Sequence, residues 1–521
     1  MRKLLSVSSH TGSHPTLAPT SVDADGPRAG RRGWWALAVL MLPVLLISID
    51  NTVLNLALPA ISEALKPSGT ELLWMIDIYP LVLAALLVSM GSLGDRVGRR
   101  TLLLVGSAGF GVVSVLASFS TSIELLIIAR GTLGFFGAML MPSTMSLLRS
   151  IFTNRDQRRL AIAIWASGFA AGSAFGPVIG GFLLEHYAWG SVFLLAVPFL
   201  VPLFIFVPML VPESRDPDPG RIDVISILLS LAAMAPVVFG IKTFAERGLE
   251  VVPVVSVLIG LGAGVLFVRR QSRLSHPMLD LRLFHRGAFS GAIGVNLLSV
   301  VALVGGLFFV SQYLQLVLGL SPLTAGLVLV PGLIVMIASG LVVVPIARRV
   351  RPAILIPIGL LISASGYAAV ALIGDGITAV GIGVVFVALG VGIGAAETVS
   401  NELVIANAPA EKMGAASAVS ETAYELGAVL GTAILGTILT AAYRNAVVLP
   451  DGLSAAQQEA AHETLGGAVA VAEQLPTEIA SELLVSAQHA FASGIGPTAW
   501  IGAGLVLAAA VVAVTTLRKA H

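Results

Sequence analysis

Four acidic side chains sit inside long apolar stretches of this sequence: Asp50, Asp77, Glu421 and Glu425. A charged group at the centre of a membrane-spanning helix costs roughly 2.5–3.5 kcal/mol on insertion scales, so each of them calls for a partner or a task. Glu421 and Glu425 are four residues apart, which puts both on one face of a helix. Two carboxyls that close in a low-dielectric setting cannot both ionise easily, and they titrate as a pair. That property suits a group that takes up a proton on one side of a barrier and releases it on the other. The same charge, once exposed, is a counter-ion for an apolar cation. Arg130 lies in another apolar stretch, keeps its charge and must find a carboxylate or carbonyl partner. Asp50 heads a polar stripe with Asn51 and Asn55 that has to face other helices rather than lipid.

The elements that position these residues follow from composition. The chain has 521 residues, of which 56% are hydrophobic and only 11% charged, and its mean hydropathy is +0.94. So few charges cannot solvate a water-facing globule of this size, which excludes a soluble enzyme. A net charge of +1 without a long basic run offers no footprint for nucleic acid. With no cysteine, disulfides and thiol chemistry are excluded. The lone His462-Glu463 pair lacks the second histidine of a zinc-protease helix, and no metal site is expected.

Windows of roughly 20 apolar residues, the length of one crossing, recur about fourteen times. The expected fold is an all-α polytopic membrane protein with two pseudo-symmetric six-helix bundles and two inserted helices. Its expected divisions are a disordered tail (1–33), an N-terminal bundle (34–210), an inserted pair (223–268) and a C-terminal bundle (289–517). Basic residues collect in every second connection, among them Arg96, Arg99, Arg100, Arg149, Arg215, Arg221, Arg269, Arg348 and Lys412, with Lys519 near the end of the chain. The positive-inside rule then puts both termini on the cytoplasmic side of the cell membrane. Residues 445–496 contain no Lys or Arg and read as an external hairpin of two Ala-rich helices broken at Leu475-Pro476.

Internal repetition supports the two bundles. The run Gly91-Ser-Leu-Gly-Asp95-Arg96-Val-Gly-Arg99-Arg100 has a worn counterpart at Gly340 to Arg351. Duplicated six-helix halves with a site between them suit an alternating-access transporter. The same run resembles the loop signature of the major facilitator superfamily, and Arg130-Gly-Thr-Leu-Gly134 resembles that family's span 4 motif. Gly172-Ser-Ala-Phe-Gly176-Pro177-Val-Ile-Gly180-Gly181 is similar to the span 5 signature of its drug:proton antiporters. Asp50-Asn-Thr-Val-Leu-Asn-Leu-Ala-Leu-Pro59 is similar to the span 1 motif of its fourteen-span drug efflux subfamily.

This resemblance implies proton coupling through Asp50, Asp77, Arg130, Glu421 and Glu425. It implies a latch at the cytoplasmic end formed by Gly91, Asp95, Arg96, Arg99 and Arg100, and closure governed by Gly172, Gly176, Pro177, Gly180 and Gly181. Expected walls of a cargo site are Asp50, Asn51, Trp165, Phe169, Phe308, Tyr313, Tyr424 and Glu425, since aromatic faces attract cations. The sequence lacks a Gly-x-x-x-x-Gly-Lys phosphate loop, so active transport would draw on a proton gradient rather than a cofactor. The expected function is a monomeric, proton-coupled multidrug efflux antiporter for lipophilic cations such as dyes and quaternary ammonium compounds, with fluoroquinolones as a further class. The alternative is an exporter or flippase of an endogenous lipid or secondary metabolite.

Overall fold

The computed structural model describes residues 27–215, 223–247, 250–274, 277, 279, 281–347, 349–407 and 413–518. The expected tail as far as residue 26, and the basic residues Arg221, Arg348, Lys412 and Lys519, lie outside the described residues. The first long helices are α1 (Arg31–Leu65), α2 (Gly69–Val97), α3 (Arg99–Ser118), α4 (Ile123–Ile151) and α5 (Arg155–His186), followed by the broken pair α6 (Ser191–Leu194) and α7 (Ala196–Leu210). Next come α8 (Val224–Arg247) and α9 (Val251–Arg273). The second set is α10 (Gly287–Gln312), α11 (Pro322–Ala347), α12 (Pro352–Ile373), α13 (Ala379–Ala406), α14 (Met413–Gly431) and α15 (Thr437–Ala446). It closes with two short helices, α16 (Ala455–Glu463) and α17 (Leu465–Ala472), and the long α18 (Thr477–Thr516). α14 runs into α15 through a π-helical turn, Thr432–Gly436.

Thirteen helical segments among the described residues are long and apolar enough to cross a membrane, and α5, at 32 residues, is a further long helix at the expected fifth position. Local chemistry sets several starts. Ser68 and Glu71 form a reciprocal capping box on α2, and Ser122, Asn154 and Thr378 accept from the first turns of α4, α5 and α13.

The packing repeats between halves. α1 lies against α4, α5 and α7, and α3 against α4 and α7, while α10 lies against α13, α14 and α18, and α12 against α13 and α18. The pair α2–α4 likewise matches α11–α13. Two seams join the halves, α5 with α11 and α2 with α14, and these are equivalent pairs under the same repeat. Leu116, Ile128, Leu258, Leu341 and Val384 are exposed on the outside of the bundle, as side chains facing lipid must be.

The inserted helices pair with each other, and α8 alone leans on α2, α15 and the π-helical turn. Only 11% of the apolar window of α9 is buried, against 78% for α2, so α9 is peripheral and α2 central. One expectation is corrected at the hairpin over residues 445–496. Its second arm is no separate helix but the first half of α18, which runs unbroken for 40 residues. The helix continues through Pro497 to Thr516, packed along its length against α10, α12 and α15.

Candidate functional site

α4 carries Arg130 into the interior of the first half, where it is 1% exposed. Its Nη1 donates to Asp50 Oδ2 of α1 at 2.7 Å, and its guanidinium lies 4.4 Å from the centre of the Tyr79 ring of α2. The arginine thus meets a carboxylate at one edge and an aromatic face across its plane, the two contacts a planar cation accepts best. Close approach of α2 and α4 makes this possible: a Cβ at Gly137 would stand 3.2 Å from the Tyr79 hydroxyl. Asn55 is buried and donates to the Asn51 carbonyl one turn back, so the polar stripe of α1 faces protein. Asp77 is fully buried in α2.

Across the α2–α14 seam, Glu425 is 4% exposed and lies within electrostatic reach of Arg130 and of Glu421. Glu421 in turn faces Arg149 of α4. Tyr424 is near both Glu425 and Glu397 of α13. In the second half, near the arginine-rich end, Asn401 Oδ1 accepts from Asn296 Nδ2 of α10 and from Ser420 Oγ of α14, each at 2.8 Å. Arg130, Asp50, Tyr79 and Glu425 therefore form one electrostatic group drawn from both halves.

The expected aromatic walls divide. Trp165 and Phe169 of α5 meet edge to face at 5.2 Å; Trp165 donates to Thr144 of α4, and the Phe169 carbonyl accepts from Ser48 of α1. Both belong to the first half beside the Asp50 helix. Phe308 and Tyr313 lie apart from the Asp50–Arg130 group, in the second half. Phe308 packs on Gly436 and Leu73 near the hairpin helices α16 and α17, and Tyr313 is buried in the second half with its hydroxyl on the Ile377 carbonyl. An aromatic at helical spacing fills a core as readily as it lines a cavity, and periodicity does not separate the two.

At the arginine-rich end of the bundle, Asp95 pairs with Arg99 at 2.8 Å, while Arg96 is exposed. The larger contact here involves Glu213, which follows α7. Its carboxylate accepts from the backbone N–H groups of Arg100 and Thr101 and from the Thr101 hydroxyl, satisfying the free donors at the start of α3. Partial burial works to raise the Glu213 carboxyl, but the Thr101 hydroxyl and the amides of Arg100, Ser214 and Thr101 outweigh it and hold it below its ordinary value. Gly98 supplies the turn at φ +111°, where a Cβ would also stand 2.7 Å from the Glu213 carboxyl carbon. Gly91 lies against Pro142 of α4.

The glycine run of α5 serves two neighbours. Gly172, Gly176 and Gly180 press on Ser48, Thr52 and Val53 of α1, whereas Gly181 meets Pro322 and Leu323 of α11, and Pro177 meets Gly326. The halves also meet through Gln315 Nε2, which donates to the Leu56 carbonyl at 3.1 Å. Over this end lies the hairpin: Glu463 accepts from Gly69 N–H of α2 at 2.9 Å and from Arg444 of α15 at 2.5 Å, and Tyr443 donates to the Ala461 carbonyl. At the opposite, arginine-rich end Asn401 and Glu402 are exposed, and Glu397 and Glu421 are half-buried.

Tyr79, Glu213, Asn296 and Asn401 were not marked by sequence spacing. The one available signal was the Asn or Tyr standing in an otherwise apolar window.

The sequence model of the Major Facilitator Superfamily matches residues 40–432. The chain belongs to the major facilitator superfamily. Among members of this superfamily it is similar to the multidrug efflux pump LfrA of Mycolicibacterium smegmatis, with 57% identity over 492 residues, 94% of this chain and 98% of that protein. It is also similar to the methyl viologen resistance protein SmvA of Salmonella typhimurium, with 36% identity over 463 residues, 88% of this chain and 93% of that one. Its fold is similar to the crystal structure of a bacterial homologue of the human lysosomal transporter Spinster, in an inward-facing and unoccupied conformation. The TM-score is 0.62 at 15% sequence identity, covering 95% of this chain and 100% of that chain. The protein is thus a multi-pass membrane protein of a transporter superfamily, and the buried acids belong to a transport scaffold.

Proposed function

We propose that this protein is a proton-coupled multidrug exporter that exchanges protons for lipophilic cations such as dyes and quaternary ammonium compounds. The observation that carries this reading is a charge count at the seam. Arg130 holds Asp50 directly at 2.7 Å, and Glu425 stands within its field from the other half. One guanidinium neutralises one carboxylate, so an ionised Glu425 leaves the group with one negative charge in a setting that tolerates none. A proton on Glu425 restores neutrality, and so does a bound cation. The two compete for one vacancy of charge, which is the requirement for exchange. Trp165 and Phe169 offer aromatic surface to an apolar cation beside Asp50.

The positive-inside rule orients the arginine-rich end and both termini toward the cytoplasm of the cell membrane. Cargo then enters from the cytoplasm, and the halves separate at the hairpin end to release it. The proton gradient supplies the energy, no cofactor is required, and one copy of the chain contains the whole group. The similarity to a multidrug efflux pump and to a methyl viologen resistance protein supports a cationic, varied cargo.

Everted membrane vesicles test the reading. Acidifying the lumen is expected to drive dye uptake, which Asp50→Asn or Glu425→Gln abolishes at unchanged protein level. Vesicles that take up no dye at any lumen pH would overturn it in favour of a lipid or secondary-metabolite cargo.

A further inference from the structure

The acids of the central group do not exhaust the buried carboxyls. Glu397, Ser400 and Asn401 of α13 stand at i, i+3 and i+4, on one face of that helix. Asn401 anchors this face by its hydrogen bonds to Asn296 and Ser420, which pin α10, α13 and α14 in register. One turn deeper on α13 is Glu397, and one turn deeper on α14 is Tyr424, which is in electrostatic contact with both Glu397 and Glu425.

Among the described residues, no cation answers Glu397. α10, α11 and α12 contain no Asp, Glu, His, Lys or Arg, and their one tyrosine, Tyr367, gives its hydroxyl to the Ala302 carbonyl. α14 presents only Tyr424, Glu421 and Glu425. Glu397 Oε1 is buried and has no hydrogen-bond partner among the described residues, and the same holds for the hydroxyls of Ser400 and, on α10, Ser299, both fully buried. A carboxylate without a counter-charge in such a setting is stable only with its proton on. Exposure falls in steps along this path, from the exposed Asn401 through the half-buried Glu397 to Glu425 at 4%. Glu397 on α13 and Glu421 on α14 are both half-buried beside the Asn296–Asn401–Ser420 layer, and of the two Glu421 faces an arginine, Arg149, while Glu397 does not.

We infer that Glu397 is a further proton-exchanging carboxyl of the transport cycle, loaded and unloaded separately from Glu425. This rests on the exchange reading above. When a cation binds beside Glu397, the O–H bond of its carboxyl breaks, the proton passes to water, and the cation replaces the charge that left. Tyr424, between the two glutamates, keeps them distinct by separating their charges.

Proton release from the purified full-length protein, in weak buffer with a pH dye, on adding tetraphenylphosphonium tests the inference. Glu397→Gln is expected to bind the cation while releasing about one proton fewer per cation bound, and its affinity should vary less steeply with pH. Glu397→Asp should restore both. A Glu397 that served only to pack or hydrogen-bond would leave the proton count unchanged on Glu397→Gln, and equal release by wild type and variant would overturn the inference alone. Absence of release from the wild type would overturn the exchange reading itself. Should Glu397→Gln fail to fold, the infrared difference spectrum of cation binding decides. A protonated-carboxyl band lost in the wild type must shift in Glu397→Asp, and an unshifted band counts against Glu397.

Discussion

Arg130 lies 2.7 Å from Asp50 and over the ring of Tyr79, so removing either partner leaves a guanidinium at 1% exposure with less to balance it. Asp50→Asn takes away the charge and leaves the arginine uncompensated, which is expected to cost on the order of 3–5 kcal/mol. Tyr79→Leu removes only the aromatic face, at about 0.5–2 kcal/mol. Thermal unfolding in detergent of the two single variants and the double variant checks the order. A larger loss for Tyr79→Leu than for Asp50→Asn would contradict it. Asp50 and Arg130 were legible in the sequence because ions in an apolar window are expensive and demand partners. Tyr79 was not, since a tyrosine in a span is unremarkable until a fold lays a guanidinium on it. Phe308 and Tyr313, expected from their type to line the cargo site, pack in the second half away from the Asp50–Arg130 group.

Among the helices, the inserted pair is held at the arginine-rich end by a two-pronged ion pair. Arg270 of α9 donates from Nε and Nη2 to both oxygens of Asp223 at 3.0 and 2.8 Å, and Ser226 donates to the same carboxylate. Hydrogen bonding from Arg270 holds the Asp223 carboxyl down at about 2, from an ordinary value of 3.8. A carboxyl lowered in the folded state adds stability that is complete above its ordinary value and is lost as pH falls through the folded one. The brace between α8 and α9 is therefore expected to be intact at neutral pH and to fail between about pH 4 and pH 2. Asp223→Asn should reproduce that loss at neutral pH, read as faster amide exchange in the first turn of α8. Equal exchange in the variant and the wild type would count against the brace. The helices themselves were legible from apolar windows. That the hairpin's second arm belongs to α18 was not, because Gly494, Gly496 and Pro497 between the Ala-rich run and the apolar run read as a break that the packed helix does not make.

For the molecule as a whole, the two seams have unequal contents. α5 meets α11 through Gly181, Pro177, Leu323 and Gly326, a backbone-close contact near the hairpin end, while the α2–α14 seam brings Arg130 and Glu425 within reach of each other. Gln315 and Leu56 add a hydrogen bond between halves at the hairpin end. If the halves rock, these contacts must part. The chain contains no cysteine, so Leu56→Cys with Gln315→Cys introduces a single pair of thiols. Oxidising this pair is expected to stop dye efflux and to leave cation binding from the arginine-rich end, with efflux restored by a reductant. Undiminished efflux with the disulfide formed would mean that the hairpin end does not open there.

The sequence by itself determined that this chain lives in a bilayer, crosses it with paired sets of helices, and carries a small number of acids and an arginine that lipid would not tolerate without a reason. Those are consequences of transfer energy and of helical period, both local properties of a chain. The tertiary structure alone decided which ions meet. Asp50 and Arg130 are 80 positions apart, and Glu425 comes to them from the other half. Glu213 reaches the start of α3 from the far end of α7, and Glu397 is left without a counter-charge by the neighbours it happens to have. Partners at such separations depend on how helices pack, and packing between small residues carries no periodic mark in the sequence.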